Sequence, residues 1–182
     1  MEIGKRIVVV GTSGSGKTTF ARELATRLGY PHIELDAIHW LSNWQETPLE
    51  IFRERVAQST ARECWVLDGN YSKVRDLTWG RADTLVWLDY SLQLILWRLM
   101  RRTMRRIFLR QELWNGNRES LRGAFIGRDS LFAWAITSTP RHHRDYPRLL
   151  AQEYAQLRVM RFFSPRAASK WMKDAPAKQK RN

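Results

Sequence analysis

The chain has 182 residues, 43% hydrophobic and 12% aromatic, about one domain in length, which excludes a disordered tail or a low-complexity scaffold. Its 31 basic and 18 acidic residues leave a net charge of +13, and Cys64 is the only cysteine, so no internal disulfide forms and a reducing, cytoplasmic setting is expected. No signal peptide or spanning helix is legible: the most apolar longer stretch, 84–100, carries Asp89, Gln93 and Arg98 and falls short of the roughly 18 apolar residues a spanning helix needs.

In chain order, the run Arg6-Ile7-Val8-Val9-Val10 suits a strand buried on both faces. Gly11 to Gly16 is a loop, and a helix follows from about Lys17, with Ala21, Leu24, Ala25 and Leu28 on one face and Gly29 as its stop. Residues 32–35 read as a second strand, 48–64 as mostly helical, 65–67 as a third strand ending in Asp68-Gly69, and 85–88 as a fourth ending in Asp89. A long helix is expected over 92–109 and a last strand over 159–163, with Pro165 starting the exit. Strands alternating with helices imply an α/β domain with a mainly parallel sheet. Residues 1–172 read as one domain, 101–146 as a helical excursion or lid, and 173–182 as a basic, frayed tail.

Gly11-Thr12-Ser13-Gly14-Ser15-Gly16-Lys17-Thr18 matches G-x-x-x-x-G-K-[ST] between a buried strand and a helix, the context this phosphate-binding motif requires. Its glycines let backbone N–H groups approach phosphate oxygens, and the helix N-terminus adds further N–H groups and a positive dipole end. Lys17 can reach the β- and γ-phosphates, the Thr18 hydroxyl can ligate Mg²⁺, and Thr19 can contact the α-phosphate region. The motif therefore calls for ATP and Mg²⁺.

Phosphoryl transfer also needs a carboxylate near the metal, at the end of a neighbouring strand. Asp68 and Asp89 both qualify by local pattern. Asp68, followed by Gly69-Asn70, is the preferred metal residue, and Asp89 reads alternatively as a cap of the helix from Leu92. Asp36 stands just past the second strand, where a carboxylate can orient or deprotonate an acceptor hydroxyl. Trp40 and Trp44 follow it and offer walls for an acceptor ring. His39 reads as structural, and Trp65 and Trp87 as core.

The charge is uneven: residues 1–91 carry 11 basic and 12 acidic residues, and residues 92–182 carry 20 and 6. Nine arginines lie between Arg98 and Arg128, opposed only by Glu112, Glu119 and, just beyond, Asp129. Like charges four apart destabilise a helix, so this density points to phosphate contacts by a closing lid. A solvated basic face and a nucleic-acid-binding face are the other readings.

These stretches resemble the small P-loop kinases of the nucleoside monophosphate kinase and shikimate kinase branch. Residues 35–40, 65–71 and 112–119 are more similar still to the adenylate-kinase-like bacterial group known as DNA topology modulation proteins. The resemblance implies a P-loop NTPase three-layer sandwich, a five-stranded parallel sheet in order 2-3-1-4-5, and an arginine-rich helical lid. It implies an ATP-dependent phosphotransferase acting on a small-molecule acceptor, nucleotide or nucleoside-like by preference. Lys17, Asp36, Arg98, Arg102 and Arg118 are then the catalytic candidates, with Arg122 as a further lid candidate. The chain departs from adenylate kinases after Asp68-Gly69, where Asn70-Tyr71-Ser72 replaces a hydrophobic-Pro-Arg sequence, so the AMP-binding pattern is not intact. The shikimate-binding arginine pattern is not recognisable either. A P-loop ATPase or nucleotide-dependent DNA-binding protein is the alternative, with nucleic acid held by the basic half. No membrane partner is expected, and the chain is expected to be a monomer or weak homodimer. There is no Asn-Lys-x-Asp guanine motif and no ABC-type signature, and the chain reads as short for a typical AAA module.

Overall fold

The computed structural model describes residues 3–125 and 130–175. Five strands, β1 (Arg6–Val10), β2 (His32–Glu34), β3 (Trp65–Asp68), β4 (Thr84–Leu88) and β5 (Arg158–Phe162), form one sheet in the order β2-β3-β1-β4-β5. Every pairing is parallel. This is the α/β architecture and strand order expected for the P-loop kinase fold. Parallel pairing requires crossovers, and the helices that make them cover both faces.

The apolar run in β1 explains the two layers. Ile7 and Val9 join one core with Phe20, Leu24, Ile95, Leu99 and Met172, while Val8 and Val10 join the other with Phe52, Val56, Leu67, Trp79 and Tyr146. Alternate side chains of a strand point to opposite faces, so a strand between two helical layers is apolar throughout. Helices α1 (Lys17–Leu28), α5 (Leu92–Phe108) and α8 (Pro165–Asp174) serve the first core. Helices α3 (Leu49–Ser59) and α4 (Arg75–Thr78), with the end of α7 (Leu131–Gln152), serve the second. Gly29 ends α1 in the left-handed region at φ 70°, returning its N–H to the last turn.

Several boundaries differ from the sequence expectation. β2 stops at Glu34, and a short helix α2 (Leu35–His39) carries Asp36 in its first turn. α5 is capped by Ser91, whose hydroxyl accepts from the Leu94 N–H, so Asp89 is not the cap. α8 continues to Asp174, into the expected tail; residues 176–182 of that tail lie outside the described residues. The 101–146 excursion contains the last turns of α5, a short helix α6 (Leu121–Phe125) and the first part of α7. Its final residue, Tyr146, is buried against Trp79 and Trp87. Trp65 and Trp87 are core, as expected, whereas Trp97 and Trp134 are half exposed. No helix among the described residues is long and apolar enough to cross a membrane.

Candidate functional site

The phosphate loop turns between β1 and α1, with the Ser15 N–H bonded to the Thr12 carbonyl at 3.0 Å. Gly14 sits at φ 91°, and a Cβ there would come within 2.7 Å of the Ile95 carbonyl oxygen and 3.1 Å of Leu99 Cβ. Helix α5 therefore packs directly on the loop, and only glycine fits. Gly16, also at φ 91°, leads into α1. The Ser15 hydroxyl is buried without a partner, an open polar position inside a loop of backbone N–H donors. Among the described residues, Lys17 makes no ion pair with a carboxylate.

The structure brings Thr18 and Asp68 together. The Thr18 hydroxyl donates to Asp68 Oδ2 at 2.5 Å. Asp68 is almost fully buried, and its other oxygen accepts from His32 Nε2 at 2.9 Å. A hydroxyl and a carboxylate at the base of a phosphate loop are oxygen donors suited to Mg²⁺, which keeps several waters and takes phosphate oxygens as further ligands. The residues present fit MgATP. No group of three or more His, Cys, Asp or Glu side chains that could hold a metal ion occurs among the described residues. Asp89, the other candidate, is committed elsewhere: it is bound by His143 and by Arg161, whose Nη2 is 2.6 Å away. It ties the end of β4 to α7 and β5.

Asn70, where the chain departs from the adenylate kinase pattern, clamps the loop. Its Nδ2 donates to the Gly11 carbonyl at 2.6 Å, and its Oδ1 accepts from the Gly11 N–H at 3.3 Å. Tyr71, the next residue, donates its hydroxyl to Asp36 Oδ1 at 2.6 Å. Burial, followed by the Asp36 charge, pushes the Tyr71 phenol well above its ordinary range. It remains the proton donor and fixes the carboxylate's orientation. His39 is buried among Trp40, Phe52 and Tyr71, with Nδ1 unpartnered, and burial holds its pKa down. It packs as a neutral aromatic ring.

Two lid arginines reach this region. Arg98 donates from Nη1 to the Ser15 carbonyl at 3.1 Å and lies over Tyr90. Arg102, one turn on, is 3.8 Å from Glu119; burial and Arg106 lower its pKa, and Glu119 and Asp36 oppose that shift. Arg106 joins it on Glu119 at 2.6 Å, a partner that sequence reasoning did not single out. Arg102 Nε and Glu119 Oε2 are buried and unpartnered. Arg118 is placed differently from the expectation: its side chain is exposed and pairs with Glu112, also exposed, at 3.7 Å. The Arg122 side chain and Arg128 lie outside the described residues.

Sequence reasoning also missed Glu34 and His142. Glu34 stands beside Asp68 in the β2–β3 register. Burial and then the Asp68 charge raise its pKa, and a hydrogen bond from the Trp114 side chain offsets part of the shift. Only its place in an alternating strand one residue before Leu35-Asp36 hinted at it. His142 on α7 reaches Thr12 of the loop, with Nδ1 3.4 Å from the Thr12 hydroxyl. Burial first, then Lys17, Arg141 and Arg75, hold it down at about 4 against an ordinary 6.5. The unfolded chain binds this proton near pH 6.5 and the folded chain only near pH 4. Stability is therefore fully present above pH 6.5 and falls as pH drops towards 4, by at most about 3 kcal/mol. Melting temperatures between pH 4 and 7 should show a shallower decline in His142→Asn than in the parent.

The loop carrying Asn115 and Asn117 is latched onto the segment that follows α2. Asn117, nearly fully buried, accepts from the Trp44 N–H at 2.8 Å, and its Nδ2 lies 2.8 Å from both the Leu41 and Trp114 carbonyls. Asn115 donates to the Trp40 carbonyl at 2.5 Å. Trp40 and Trp44 meet edge to face at 5.6 Å, and Trp44 and Trp114 at 6.4 Å. Asn117→Ala strands these backbone groups, and denaturant unfolding should register a loss of about 2 kcal/mol.

A family model described as "AAA domain" matches residues 7–119, which is most of the chain, and the chain belongs to that family. This corrects the expectation from length: the matched stretch runs from β1 to the lid loop and fits within 182 residues. The chain is similar to a shikimate kinase from Bacteroides thetaiotaomicron, at 17% identity and TM-score 0.56, over 94% of this chain and 96% of that one. A shikimate kinase from Acinetobacter baumannii in complex with shikimate gives 19% identity and TM-score 0.55, over 93% and 89%. A gluconokinase from Sinorhizobium meliloti 1021 gives 18% identity and TM-score 0.51, over 93% and 94%. At these identities the likeness defines the fold, that of P-loop kinases. Comparison with curated proteins finds no match.

Proposed function

We propose that this chain is an ATP-dependent phosphotransferase that passes the γ-phosphoryl group of MgATP to a hydroxyl of a small molecule, with a nucleotide or nucleoside-like acceptor favoured. One observation carries the reading. A phosphate loop with its Thr18–Asp68 pair lies beside a second strand end, where Tyr71 holds the Asp36 carboxylate in a fixed orientation. The kinase fold supports it, and Trp40, Trp44 and Trp114, which meet edge to face, offer aromatic surface suited to a planar ring.

In this reading residues 1–172 act as one unit, with residues 101–146 as its lid. Gly11 to Thr19 cradle the phosphates, and Lys17 sets its charge against the β- and γ-phosphates. Mg²⁺ carried by ATP, held by Thr18 and Asp68, supplies charge neutralisation on the phosphate oxygens. Asp36 orients the acceptor hydroxyl and takes its hydrogen bond, and Arg98 and Arg102 oppose the charge that spreads over the transferred group. Arg118, whose exposed side chain pairs with exposed Glu112 at 3.7 Å, is a further arginine of this set. The chain's own motifs at 35–40, 65–71 and 112–119 favour the adenylate-kinase-like bacterial group within this class.

The test is ATP consumption with Mg²⁺ against nucleoside monophosphates, nucleosides, small hydroxy acids and duplex DNA. Stimulation by one small acceptor is the expected result. Activation by DNA alone, declining steeply with salt as counterion release requires, would overturn it in favour of a nucleic-acid-dependent ATPase.

A further inference from the structure

Helix α7 touches the phosphate loop through a chain of hydroxyls whose proton positions follow from their partners. Thr139 donates its hydroxyl to the Ala135 carbonyl at 2.8 Å. Its Oγ1 therefore offers only lone pairs to the Thr12 hydroxyl, 3.1 Å away, and Thr12 directs its one proton there. The Thr12 oxygen is then an acceptor towards His142 Nδ1 at 3.4 Å. Nδ1 must carry the proton, because two acceptors facing each other would gain nothing. The ring is thus fixed as one tautomer, and it stacks on Tyr146 at 4.5 Å and 22°.

We propose that His142 is a positioning residue of the nucleotide site: as the Nδ1–H tautomer it orders Thr12, and with it the first turn of the phosphate loop, from helix α7. The proposal rests on the reading of Gly11 to Thr18 as a nucleotide site. Thr12 is buried, so the contact is not a surface accident. The charged and titratable groups acting on the ring are Lys17 from α1, Arg75 from α4, and Arg141 and His143 from α7. None is an acid, and together with burial they disfavour the charged imidazole. Nδ1 holds its proton in the neutral and charged forms alike, so the bond to Thr12 survives titration.

The experiment is calorimetric titration of MgATP into the full chain. The hydrogen bond is worth about tenfold in affinity. His142→Leu and Thr12→Val should each weaken binding about tenfold, and the double variant should bind no worse than the weaker single variant. His142→Asn, which places an amide N–H near the Nδ1 position, should stay within about twofold of the parent. Wild-type affinity in His142→Leu, or losses that multiply in the double variant, would overturn the proposal. If His142→Leu does not fold, Thr12→Ser against Thr12→Val decides: equal affinities overturn it, and restored binding in the serine variant supports it. Because no acceptor is needed, MgATP binding through this strut without transfer to any acceptor would sink the kinase reading alone. Absence of MgATP binding in the parent would sink both.

Discussion

Lys17→Ala is expected to abolish ATP-dependent transfer, with a fall of at least about a thousandfold in kcat/KM measured by coupled ADP release. The size follows from the role: a positioned cation opposing transition-state charge in a largely desolvated site contributes several kcal/mol. Among the described residues no carboxylate pairs with Lys17, and its charge is one of those that, after burial and with Arg141, Arg75 and His143, hold the His142 pKa down. Its charge is held ready for phosphate. Alanine removes it without opening the core, since α1 buries Phe20, Ala21, Leu24 and Ala25 on its other face. The variant should therefore melt no lower than the parent, and a large drop in melting temperature together with the lost activity would point to structural damage instead.

Asp36→Asn should lower kcat by about a hundredfold or more, the usual worth of a positioned acid–base group, while MgATP affinity stays within about twofold. Tyr71 donates to one oxygen of Asp36, leaving the other for the acceptor hydroxyl. Asparagine keeps the shape and can still accept from Tyr71, but it takes up no proton. The separation of kcat from nucleotide affinity is the informative result. Equal losses in both would move Asp36 from the acceptor to the architecture of the nucleotide side.

The phosphate loop was legible because its chemistry is local: six consecutive loop residues, a lysine and a threonine do one job, and a buried strand precedes them. Strand positions were legible because a strand covered on both faces must be apolar throughout, as Val8 to Val10 are. Helix α7 was not. It runs through Pro140 and Pro147, each of which deletes a helix N–H and argues locally for a break. Tertiary packing of Ala135 and Tyr146 into the two cores overrides that preference. Without the course of α7, Thr139 and His142 could not be placed at the phosphate loop. The partners of Glu34 and Asn70 went unread for a related reason, since Trp114 and Gly11 are 80 and 59 positions away from them in the chain. The fate of Arg118 likewise depended on a turn at Asn115 and Gly116, both at positive φ, that folds it back on Glu112.

The outer strands of the sheet bear on how the chain behaves at high concentration. An open sheet ends in unpaired backbone groups that can template growth by another molecule. Here one border, β2, is only three residues long, too short to seed an extended ladder. The other, β5, carries Arg158 and Arg161 among its apolar residues, and Arg161 lies over both Trp87 and Phe163 while anchored to Asp89. A second molecule adding to β5 would have to bring its own strand past two guanidinium groups on a chain that already carries +13. The arginines of the last strand thus act as colloidal guards, and replacing them with neutral residues would trade solubility for strand-by-strand self-association.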